Sequence, residues 1–158
     1  MNETASTTEP QYWMIVGSPE ILATTRKLGF KKHGIKARHR KKAAEMRPGD
    51  RFIFYVTGAK AFAGIVRVTS TVQESHELIW QSCDADKSAE DYPFRFDIEP
   101  EIILTPEHYV DAEPLARQMI YASKWPAANW TLAFQGNVHR IPEHDYTLIR
   151  SAVEAAHR

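Results

Sequence analysis

Apolar residues along this chain fall in groups, and the grouping predicts its elements. Tyr12 to Val16 is an unbroken aromatic and branched run stopped by Gly17, the mark of a strand buried on both faces. Ser18-Pro19-Glu20 then opens a helix, because serine accepts from a free amide, proline suits the first turn and an acid favours the positive end. Ile21, Leu22 and Leu28 supply its packing face, and Gly29 closes it. A second helix is expected from about Arg38 to Met46, ended by the turn Arg47-Pro48-Gly49-Asp50. Arg51 to Val56 is apolar on both faces after its first residue, as a strand within a barrel is. A third strand follows from about Phe62 to Val72, with Gly64 marking a bulge or a close backbone approach. Phe94, Phe96 and Ile98 alternate with Arg95, Asp97 and Glu99, a period of two with one wet face.

Short helical turns are expected at Thr105-Pro106-Glu107 and around Pro114 to Met119. Thr131 to Phe134 reads as a fifth strand, followed by the turn Gln135-Gly136-Asn137 and room for one short strand more. A C-terminal helix from about Pro142 to Ala156 carries Tyr146, Ile149, Val153 and Ala156 on one stripe. Strands that mostly lack crossover helices predict an α+β domain, a mixed β-barrel of five or six strands flanked by helices. Residues 1–10 are polar and acidic and read as a disordered tail ahead of a single domain over 11–158.

Composition adds limits. With 158 residues, 43% apolar and 25% charged, the chain fits one ordinary globular domain. Its single cysteine, Cys83, excludes an internal disulfide and a cysteine-built zinc site, which fits a reducing compartment. No apolar run approaches the ~18 residues needed to span a bilayer, and the front lacks the basic start and apolar centre of a signal peptide. The expectation is a cytoplasmic monomer that meets no membrane.

Charge changes the picture more. Arg26 to Arg47 holds ten of the twenty Lys and Arg residues against one acid, Glu45. The segment is therefore +9 and the rest of the chain −9, a dipolar molecule hidden behind a pI near 7. Such a block is the footprint expected for a polyanion. A solvated helical face is the plainer alternative, but Gly29, Gly34, His33 and His39 interrupt any simple helix.

Catalytic signatures are missing: there is no Gly-rich phosphate loop, no His-Glu-x-x-His and no Gly-x-Ser-x-Gly. Glu143-His144-Asp145 reads as an exposed helix start and Cys83 as a loop thiol, so no catalytic residue, metal or cofactor is assigned. Of the four tryptophans, Trp13 and Trp130 are expected in the core. Trp80 sits in a long polar loop from His76 to Asp91, and Trp125 precedes a proline. A basic surface beside exposed rings suits single-stranded or flipped-out bases, since charge holds phosphate while rings stack on the base.

These residues fall into recognisable order. Tyr12-Trp13-x-x-Val16-Gly17-Ser18-Pro19-Glu20, Gly34-Ile35-Lys36-x-Arg38-His39-Arg40-Lys41-Lys42 and Met46-x-Pro48-Gly49-Asp50-Arg51 are followed by Tyr55-Val56-Thr57-Gly58. Asp91-Tyr92-Pro93, Lys124-Trp125-Pro126 and Asn129-Trp130-x-Leu132-Ala133-Phe134-Gln135-Gly136-Asn137 complete the series. Together they closely resemble the bacterial branch of the EVE domain, over roughly Tyr12 to Arg150. The resemblance implies a PUA-like fold, similar to thymocyte nuclear protein and more distantly to YTH domains. It also implies a partner: RNA or DNA carrying a modified base, held in a partly aromatic pocket. Carried over by position, Ser18 meets the base edge, and Lys36, Arg38 and His39, with His33 and Arg40 from the same loop, contact phosphate or base. Tyr55, Trp80 and Trp125 are the candidate walls. His33-Gly34 departs from the eukaryotic pattern, which places a tryptophan just before that glycine. Two other readings compete. The ASCH domains of the same superfamily carry Gly-x-Lys-x-x-Glu-x-Arg, and some are ribonucleases; here His39 and Lys41 replace the Glu and Arg, leaving Lys36, His39 and Tyr55 as a conceivable catalytic set. A protein-interaction adaptor with an acidic partner is the third.

Overall fold

The computed structural model describes residues 9–80 and 92–157. Cys83, Lys87 and Asp91, together with residues 1–8 of the expected tail, lie outside the described residues.

Six strands form a curled half-barrel: β1 (Tyr12–Gly17), β2 (Lys32–Ile35), β3 (Arg51–Val56), β4 (Ala61–Val68), β6 (Phe94–Ile103) and β8 (Val138–Ile141). Their order is β2-β6-β4-β3-β1-β8, with two-residue strands β5 (Gln73–Glu74) on β6 and β7 (Val110–Asp111) on β4. Only β1 and β3 among these pairs are parallel, so the sheet is mixed, and the domain is α+β as the patterning implies. β1 and β3 read as continuous apolar runs because both their faces are covered. Trp13 and Ile15, with Phe52, Phe54 and Val56, enter an inner cluster to which all six strands contribute. Met14 and Val16, with Ile53 and Tyr55, face an outer cluster closed by the C-terminal helix α4 (Glu143–His157) through Tyr146, Ile149 and Val153.

The remaining helices are short. α1 (Pro19–Lys27) begins at the Ser18 cap, α2 (Arg40–Glu45) follows a single 3-10 turn at Ala37–His39, and α3 (Ala112–Ala116) leads into further 3-10 turns. The front of β1 is pinned by Asp50. Its carboxylate accepts from the Gln11 amide (3.0 Å) and side chain (3.0 Å), the Trp13 indole N–H (2.9 Å) and the Arg47 amide (3.0 Å). Four donors are what let a carboxylate stay buried there.

Three expectations are corrected. Thr131 to Phe134 is not a strand but the end of a 3-10 segment, Ala127–Phe134. The basic stretch contains an edge strand, β2, and Arg38 lies before α2 rather than within it. The third strand stops at Val68, not Val72. Gly64 does mark the expected close approach, since a Cβ there would stand 2.7 Å from the Ile102 carbonyl oxygen.

Candidate nucleic-acid interface

A cleft of about 420 Å³ opens where the ends of β1, β2 and β3 converge. Parallel pairing sets Val16 of β1 beside Tyr55 of β3, so both side chains reach the same end of the sheet. Beyond β1, the chain leaves Gly17 for Ser18, whose Oγ accepts from the Ile21 amide at 3.4 Å and caps α1. Beyond β2 come Lys36 and Arg38, and Thr57 to Lys60 make the β3–β4 turn. Lys60 holds a φ of +53°, a left-handed conformation uncommon outside glycine and often found where function demands it. The opposite wall is the 3-10 segment, through Thr131 and Phe134, and the loop Gln135–Asn137.

Aromatic rings form the floor, but they are already engaged. Tyr55 is only 4% exposed, stacks on Phe134 at 4.6 Å and meets Phe62 edge-on at 5.7 Å. Burial, with Asp111 nearby, pushes its hydroxyl up to about 12. Tyr92 carries the Lys36 ammonium 5.8 Å above its ring. Gly34 makes that placement possible: a Cβ there would lie 2.8 Å from both Tyr92 Cβ and Trp80 Cε3, so only glycine lets β2 lie so close to them.

The edges of the curled sheet, β2 and β8, meet at this cleft without a ladder. Asn137 spans them: its Nδ2 donates to the Val16 carbonyl at 2.9 Å, and its Oδ1 accepts from the Lys36 amide at 3.4 Å. Beside the seam, Lys42 of α2 donates to the Val138 carbonyl of β8 at 2.8 Å.

Of the candidates, Ser18, Lys36, Arg38 and Tyr55 come together in the cleft. The other five do not line it. His33 is 2% exposed beneath the floor, where its Nδ1 meets the Thr25 hydroxyl at 2.7 Å and its ring lies edge-on to Phe54 and Trp80. Burial lowers its pKa to about 3, so the ring is neutral. Trp80 is completely buried, with its indole N–H donating to the same Thr25 hydroxyl at 2.8 Å and Arg95 lying over its ring. It anchors its loop against α1 and β2 and is no wall of the cleft. His39 has a buried Nε2 without a hydrogen-bond partner among the described residues, and burial with Lys42, Arg38 and Lys36 lowers its pKa to about 4. Arg40 is exposed and lies over Phe94, 5.1 Å from the ring centre. Trp125 stands apart, beside Tyr121.

Sequence reasoning missed Tyr92, Phe134, Lys60 and Asn137 as cleft residues. Tyr92, Phe134 and Asn137 lie inside the quoted motifs, so their signal was present, though reading Thr131 to Phe134 as a strand obscured the wall that Phe134 forms; nothing in the sequence marked Lys60. Among the described residues no group of three or more His, Cys, Asp or Glu side chains is placed to hold a metal ion, and no helix is long and apolar enough to cross a membrane.

Fold and cleft together define a module built on a mixed, curled sheet whose open end presents cations over an aromatic floor. The family model of the EVE domain matches residues 11–152, and the chain belongs to the EVE domain family. Solved structures share the fold. The Mmi1 YTH domain superposes with a TM-score of 0.65 at 10% identity, over 92% of this chain and 96% of that one. A YTH domain from Zygosaccharomyces rouxii, solved with N6-methyladenosine RNA, gives 0.62 at 17% identity, over 94% and 88%. A protein from Pseudomonas putida gives 0.57 at 16% identity, over 89% and 98%. No curated protein matches the chain.

Proposed function

We propose that this protein binds single-stranded RNA or DNA and holds one base, a modified one, in the cleft, as a cytoplasmic monomer that uses no cofactor and cleaves nothing. The observation that carries the reading is the make-up of the cleft. Lys36, Arg38 and Lys60 line it, and among the described residues that do so there is no Asp or Glu. A nucleotide complements such a site, its phosphate suited to the Arg38 and Lys60 cations and its flat ring to the apolar floor. The volume is that of a small-ligand pocket. Binding of N6-methyladenosine RNA by a YTH domain of the same fold supports the reading further.

A ribonuclease needs a proton acceptor beside Lys36 and Tyr55. His39 is the residue the sequence offers, and it does not line the cleft. That favours binding over cleavage. The test is titration of single-stranded RNA and DNA nonamers, each with a central N6-methyladenosine, 5-methylcytosine or unmodified base, across a range of salt. Affinity should fall with salt along a log–log slope of about −0.7 per phosphate contact, with the probes recovered intact. Absence of binding to every probe, or cleavage of the RNA, would overturn the proposal.

A further inference from the structure

Outside the cleft lies a second aromatic surface. The rings of Tyr121 and Trp125 are 6.1 Å apart, and the Lys124 ammonium stands 5.1 Å from the centre of each. Among the described residues no carboxylate pairs with Lys124. The surface is firmly built. The buried carboxylate of Asp145 accepts from the Ile120 amide at 2.8 Å and the Tyr121 amide at 2.9 Å, which fixes the turn that carries both rings. Both rings are half-buried, and Ile120 beside them is 56% exposed.

The surface is also joined to the cleft. Gly136 lines the cleft, and a Cβ built on it would lie 3.8 Å from the His139 ring. His139 in turn meets Tyr121 with ring centres 5.4 Å apart and accepts or donates a 2.6 Å bond between its Nδ1 and the Tyr121 hydroxyl. One imidazole therefore separates the surface from the cleft rim. Flat apolar rings with a single cation between them match the two halves of a nucleotide, and stacking on them is tolerant of base identity.

We propose that the Tyr121–Lys124–Trp125 surface takes the nucleotide adjoining the one in the cleft, its base on the rings and its phosphate on Lys124. The proposal rests on the cleft's reading as a nucleotide site. It gives the protein two subsites, a selective one in the cleft and an unselective one beside it.

The test compares two probes, a single-stranded RNA nonamer with a central N6-methyladenosine and N6-methyladenosine 5′-monophosphate. Each is titrated against the wild-type chain, Trp125→Ala and Trp125→Phe, with melting curves on all three. The nonamer should bind the wild type more tightly than the monophosphate. Trp125→Ala should weaken the nonamer roughly 5- to 150-fold and leave the monophosphate unchanged, while Trp125→Phe keeps most of the nonamer affinity. An unchanged nonamer affinity in Trp125→Ala overturns the proposal. So does a parallel loss for both probes, which would make Trp125 a support of the cleft. Wild-type affinity equal for the two probes sinks the second subsite but spares the cleft; binding of neither sinks both.

Discussion

Replacing Gly34 with alanine should disturb fold and cleft together, in amounts that can be worked from the contacts. The added methyl would stand 2.8 Å from Trp80 Cε3, 2.8 Å from Tyr92 Cβ and 2.9 Å from the Tyr92 carbonyl oxygen. None of these is the free end of a flexible side chain. Trp80 is fully buried and tied to Thr25, and Tyr92 receives the Arg95 guanidinium on its carbonyl at 3.0 Å. The strain must then fall on β2, which pairs with β6 through Gly34 itself. Overpacking of this kind costs about 1–3 kcal/mol, and three rigid obstacles argue for the upper half of that range. For a domain of this size each kcal/mol lowers Tm by roughly 2–4 °C, so a fall of about 4–12 °C is expected. Urea unfolding followed by tryptophan fluorescence gives the free energy directly. Nonamer titration well below Tm should also show weakened binding, because Tyr92 is a wall of the cleft. Gly17→Ala is the control: its methyl would meet Ile21 at an ordinary 3.6 Å, so its stability should stay within about 0.5 kcal/mol. A Gly34→Ala protein as stable as that control would refute the packing of the Trp80 segment and Tyr92 against β2.

Three further outcomes are expected. Alanine at Lys36, Arg38 or Lys60 should each flatten the salt dependence of nonamer binding by about 0.7 in log–log slope, and an unchanged slope would remove that cation from the interface. Asp50→Ala strands buried donors on Gln11 and Trp13, at about 1–3 kcal/mol apiece, so urea unfolding should show a loss above about 3 kcal/mol. His33 protonates near pH 6.5 when unfolded and only near about 3 in the fold, so the unfolded chain takes up the proton first. Its contribution is therefore whole above about pH 6.5 and drains as pH falls toward 3, by up to ~1.4 kcal/mol per unit. His33→Gln should lack that part of the slope, and identical pH profiles for the two proteins would count against the neutral buried imidazole.

Elements whose physics is local were readable in advance. β1 and β3 announce themselves as unbroken apolar runs, and α1 by a serine cap and a proline. Elements set by distant partners were not. β2 is a strand only because its backbone meets β6, and its own residues, Lys32-His33-Gly34-Ile35, show no strand period. Arg95 occupies what reads as a wet face, yet it is 3% exposed. The segment before Trp80 covers it and supplies the Ser75 hydroxyl and the Glu77 carbonyl as acceptors. Thr131 to Phe134 reads as a strand from its apolar residues, but it is the end of the 3-10 segment Ala127–Phe134, which packs its rings onto the outer cluster instead of pairing. The cleft suffered likewise. Two of its cations, Lys36 and Arg38, come from a charged stretch anyone would notice, and the third, Lys60, does not. Trp80 and His33, by contrast, were drawn inward by one hydroxyl, that of Thr25.

The seam between β2 and β8 gives ligand binding a mechanical meaning. One side chain, Asn137, bridges the two edges where elsewhere in the sheet rows of backbone bonds do so, and Lys42 adds a tie from α2 to β8. A strand of nucleic acid bound in the cleft as proposed would touch Lys36 on one side of that gap and the Gln135–Asn137 loop on the other. Occupancy would then act as a suture. Amide hydrogens along both sheet edges should exchange more slowly once the cleft is filled, with little change in β3 and β4.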